Sequence, residues 1–97
     1  LKGIAPVNLD DFTTHAKVNR VLRPFGFELA RYGSRKEGHY FRFVQTGRDI
    51  DRFAAAEEWQ QSHEWFGTFD AFDHYSPNDW AHTVREFLAA MLNHPNL

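Results

Sequence analysis

The sequence predicts an α+β fold, a small antiparallel β-sheet of about three strands packed by N-terminal and C-terminal helices, with a further helix in the middle. Three observations carry this. Residues 9–22 and 77–92 repeat apolar side chains near helical period. Residues 27–44 hold two alternating, aromatic-rich runs around a glycine-containing loop. The chain has 97 residues, enough for one domain with one core.

The first helix is expected over 9–22. Asn8 and Asp11 have the spacing of a capping box, and Leu9, Phe12, Ala16, Val18, Val21 and Leu22 make its apolar stripe. Pro24 ends it, because the residue before a proline avoids helical backbone. Lys17, Arg20 and Arg23 fall towards its C-terminal end, where the helix dipole favours positive charge.

Gly26 suits the turn into a strand in which Phe27, Leu29 and Arg31 share one face. A polar loop over 33–38 leads to a second strand over 39–44, with Phe41 and Phe43 inward and Arg42 outward. The run from Asp49 to Gln61 has high helix propensity and predicts a helix over 49–60, on which Ile50, Phe53 and Ala54 share a face. Part of 63–73 is expected to supply the third strand. The last helix is the most strongly marked: Ser76 as N-cap, Pro77 at the first helical position and Asp79 three residues after the cap. Trp80, Val84, Phe87, Leu88, Met91 and Leu92 face the core, and Pro95 follows the end.

Composition narrows the function classes. There is no cysteine, so disulfides, thiolate metal sites and cysteine nucleophiles are excluded. That absence leans towards a reducing, cytoplasmic setting. No apolar run has the length of a membrane span, and no signal-like segment opens the sequence as given, so no membrane partner is expected. Net charge is −2, unevenly spread. Residues 1–48 carry nine Lys/Arg against four Asp/Glu, and residues 49–97 carry two against nine. Such a split suits charged partners.

No catalytic constellation stands out. His63, Asp70 and His74 lie close in sequence, but nothing in their spacing demands a metal, and no metal or cofactor is expected. Gly33 and Gly38 do not open a helix, so the phosphate-loop geometry is missing. Two surfaces are candidates. Trp59, Trp65, Phe66, Phe69 and Phe72 lie in the acidic half and predict an aromatic protein-binding surface, for another protein or a second copy of the chain. A non-catalytic, protein-binding module is the leading expectation. The alternative is RNA binding or RNA cleavage through the basic hairpin: Arg31, Arg35, Lys36, His39, Tyr40 and Arg42 interleave positive charge with aromatic rings.

The run from Val21 to Phe43, with Val-Leu-Arg-Pro-Phe-Gly-Phe-Glu-Leu-Ala-Arg and then Gly-His-Tyr-Phe-Arg-Phe, resembles the front half of HicA-type toxins. Those are small αβββα domains of double-stranded-RNA-binding-like fold that cut messenger RNA. The resemblance implies that His39 stands at the catalytic histidine. The chain departs from the pattern in lacking a serine between Gly38 and His39, in its Ala-rich middle and in its acidic second half.

Overall fold

The computed structural model describes residues 8–34, 36–65 and 72–95. Helices α1 (His15–Leu22), α2 (Ile50–Ser62) and α3 (Pro77–Leu92) pack around one antiparallel pair, β1 (Phe27–Ser34) and β2 (Gly38–Gln45). The class is α+β, as the periodicity predicts. The sheet has two strands among the described residues, not three. Of the segment expected to form the third, His63 and Glu64 close α2, Phe72–His74 is a 3-10 turn, and residues 66–71 lie outside the described residues.

The first helix is shorter than expected. Leu9–Phe12 is a separate 3-10 turn, capped by Asn8 through the Asp10 N–H rather than the Asp11 one. Two threonines cause the break. The Thr13 hydroxyl donates to the Asp10 carbonyl, and Thr14 Oγ1 accepts from the Lys17 N–H, starting α1 afresh. Short hydroxyl side chains offer the backbone an alternative to helix continuation. Beyond α1, Arg23–Phe25 makes one more 3-10 turn, closed by Gly26 at φ +86°.

Pairing within the ribbon sets Leu29 opposite Phe43, Arg31 opposite Phe41 and Tyr32 opposite Tyr40. Both edges are sealed at one level. On the β1 side the Leu29 N–H donates to Asn19 Oδ1 (2.7 Å), while the Asn19 amide and the His15 ring meet the Leu29 carbonyl. On the β2 side the Phe43 N–H donates to Gln60 Oε1 (2.8 Å), and Gln60 Nε2 donates to the Phe43 carbonyl (3.0 Å). Gln60 is 0% exposed. An exposed row of unpaired backbone groups invites another strand. Here one amide side chain from α1 and one from α2 occupy those groups, so the third strand has no bond to make at this level.

The core lies between the ribbon's inner face and α3. Ser76 and Asp79 form a reciprocal capping box, and Trp80, Val84, Phe87, Leu88 and Met91 are all buried. Phe87 stacks on Phe43 at 4.2 Å and meets Phe27 edge-on at 5.1 Å. Phe12 and Leu22 join the same core, with Phe41 against Trp80. Leu92, expected on this face, is 49% exposed.

Helix α2 turns differently from its sequence pattern. Ala55, Ala56, Trp59 and Gln60 face inward, whereas Ile50 and Phe53 are 77% and 51% exposed. The face shared by Ile50, Phe53 and Ala54 is therefore the solvent face. Seating the Gln60 amide on β2 and the Trp59 ring on Phe43 and Phe87 sets this rotation.

Candidate functional site

The ribbon projects beyond the core at its turn. Residues 31–34, 36, 37 and 40 are exposed. Gly33 and Gly38 adopt φ of +97° and +86°, and a Cβ on Gly33 would lie 2.1 Å from the Gly38 carbonyl oxygen. Only glycine lets the strands cross this closely. Ser34 Oγ accepts from the Glu37 N–H and steadies the loop.

Alternation distributes the candidate nucleic-acid residues over both faces of this finger. On the inner face Arg31 stands opposite Phe41, the last core ring, and His39 takes the next inward position towards the turn. Tyr40 lies on the outer face, stacked with Tyr32 across the strands at 5.5 Å and 25°. The two rings are 43% and 40% exposed. Lys36 is on the loop, and Arg35 lies outside the described residues. Arg42 is engaged elsewhere: its guanidinium donates to Glu57 of α2 (3.0 Å) and to the Trp65 carbonyl (3.3 Å). It was expected outward and basic. It is instead a half-buried tie between β2, α2 and the Trp65 backbone, because α2 runs along the β2 edge and brings Glu57 within reach of the guanidinium.

The aromatic set of the acidic half turns inward where it is described. Trp65 stacks on Phe43 at 4.7 Å, Trp59 packs edge-on against Phe43 and Phe87, and both are buried. Phe72 is partly buried and stacks on Trp80 at 4.7 Å, while its carbonyl accepts from Trp80 Nε1 (2.7 Å). Phe66 and Phe69 lie outside the described residues. Burying these large rings is what lets so short a chain build a core.

His63 points its Nδ1 at the Trp59 carbonyl (2.9 Å), which fixes that nitrogen as the donor. Asp70 lies outside the described residues, and among the described residues no three His, Asp or Glu side chains converge as metal ligands would. No described helix is long and apolar enough to cross a membrane.

Two features escaped the reading of the sequence. Tyr32 is the stacking partner of Tyr40, which only the register reveals. Glu57 neutralises Arg42 from fifteen residues away. No protein-family model, curated protein or solved structure matches this chain at a significant level.

Proposed function

We propose that this chain is a non-catalytic binding module whose projecting ribbon, residues 31–40, contacts single-stranded RNA. The observation that carries the reading is the solvent-exposed Tyr32–Tyr40 stack at the end of the ribbon, with Arg31 on the opposite face of the same strand and Lys36 on the adjoining turn. Stacked phenol rings give a base a ready platform, and neighbouring cations hold the phosphates. Each base–ring stack contributes about 1–3 kcal/mol in such sites. Fluorescence anisotropy of a labelled single-stranded RNA at low salt is the test. Binding should weaken as salt rises, with a log–log slope of about −1.4 for two neutralised phosphates. It should fall at least about fivefold in Tyr40→Ala. No anisotropy change at low salt rejects the reading. If RNA is cut as well as bound, His39→Ala should abolish the cutting; unchanged cleavage would remove His39 from any catalytic role.

The exposed Ile50 and Phe53 favour a second reading, protein binding through α2. Partner lists captured by wild-type and Phe53→Ser proteins distinguish it. Identical lists from two folded proteins reject it.

A further inference from the structure

A cleft of about 450 Å³ lies where the 3-10 turn Arg23–Phe25, the first turn of α2 and the end of α3 meet. Phe25, Leu88, Met91 and Leu92 give it an apolar lining, and Arg23 and Arg52 bring two guanidinium groups to it. Among the described residues that line it, none is acidic.

Arg52 is held in place. Its Nη1 donates to the Phe25 carbonyl (2.8 Å), its Nε lies 3.6 Å from Asp49 Oδ2, and its guanidinium sits 5.9 Å from the centre of the Phe27 ring. Gly26 makes room for it: a Cβ there would stand 2.8 Å from Arg52 Nη1. Among the described residues Nη2 has no partner. Arg23 is 3.7 Å from Glu28, and its side chain is 60% exposed. Long, solvent-exposed ion pairs of this kind hold their partners weakly. A guanidinium already fixed in position loses little freedom when it takes a second ligand.

The backbone of the cleft wall is already paired. The Phe25 carbonyl accepts from Arg52, the Gly26 N–H donates to the Arg23 carbonyl, and the Gly26 carbonyl accepts from the Thr46 N–H. Little remains there for a peptide main chain to bond. An apolar lining with cationic groups and no main-chain partners suits an acyl chain ending in a carboxylate. The volume is that of a small-molecule site.

We infer that this cleft binds a free aliphatic monocarboxylate of medium chain length, its carboxylate on Arg52 and Arg23 and its chain along Leu88, Met91 and Leu92. Planar guanidinium and carboxylate groups pair through two parallel hydrogen bonds, and Nη2 is the Arg52 nitrogen not already engaged by Phe25 or Asp49. The exposed Leu92 becomes covered on binding.

The experiment is a nitrogen–proton NMR titration of the whole chain with sodium decanoate, kept below its micelle concentration, with decanol as the uncharged control. Saturable shifts confined to residues 23–27, 52 and 88–92 are expected, with decanol weaker by about tenfold or more. Arg52→Gln should lose about tenfold in affinity. Because that change also removes the bond to Phe25, Leu92→Asp supplies an independent variant. It sits at an exposed position and should prevent decanoate binding while leaving the remaining spectrum in place. Diffuse or absent shifts, equal binding of decanol, or wild-type affinity in Leu92→Asp would each overturn the inference. So would binding of a leucine-terminated peptide without binding of decanoate.

Discussion

The base and the tip of the ribbon are built from the same two strands, and they end in opposite states. At the base, Leu29 faces Phe43, and Asn19 and Gln60 close the backbone on either side. At the tip, Tyr32 faces Tyr40 with both rings open to water. Cross-strand pairing is the same in kind. What differs is whether helices reach the strands. Where they do, side chains disappear into the core and the edges are occupied. Where they do not, the same pairing presents a surface.

The comparison breaks most easily at the base. Phe87 bears on Phe43, Phe27 and Trp59 together, so Phe87→Ala should leave a cavity and cost about 3–5 kcal/mol in a urea melt. A cost below about 1 kcal/mol would mean that α3 does not pack on the ribbon as described.

Gln60→Ala comes next, at about 2–3 kcal/mol, because it leaves the buried Phe43 N–H and carbonyl without their partners. Hydrogen exchange gives a more specific readout. The Phe43 amide should exchange slowly in the wild type and much faster in the variant. Asn19→Ala tests the opposite edge. Asn19 is only half-buried, so water can replace it, and the loss should be about 1 kcal/mol. Equal effects at the two edges would refute the idea that burial sets their weight.

A smaller change acts in the other direction. Glu64 holds φ +51° after α2, where its N–H and that of Trp65 close the helix end on Gln61 and Gln60. Glycine adopts this conformation without a Cβ penalty, so Glu64→Gly should stabilise by about 1 kcal/mol. At the tip, Tyr32→Ala should cost least, about 0.5 kcal/mol, the worth of an exposed cross-strand pair. Its effect on RNA binding should be much larger than its effect on the melt, and that contrast is what sharpens the distinction between base and tip.

Some of this was legible in advance. Ser76, Pro77 and Asp79 are consecutive local signals, and the helix begins where they say. The ribbon's inner face followed from alternation through Phe27, Leu29, Phe41 and Phe43. The Thr13–Thr14 break was also written locally, but the apolar stripe running across it suggested one continuous helix. The candidate site was legible only as a composition. Its basic and aromatic residues could be named, but not which of them share a face or which are already paired.

The sequence by itself determined where α2, α3 and the two paired strands lie, because caps, prolines, glycines and periodicity act over a few neighbouring residues. The tertiary structure decided which way α2 turns, that Trp59 and Trp65 serve the core, that Arg42 is tied to Glu57, and that side chains from α1 and α2 occupy the ribbon's edges. The Gln60 and Asn19 bonds that seal the ribbon join residues seventeen and ten positions apart. No local pattern encodes such bonds, since an amide side chain reads as polar surface until the backbone it satisfies is folded beside it.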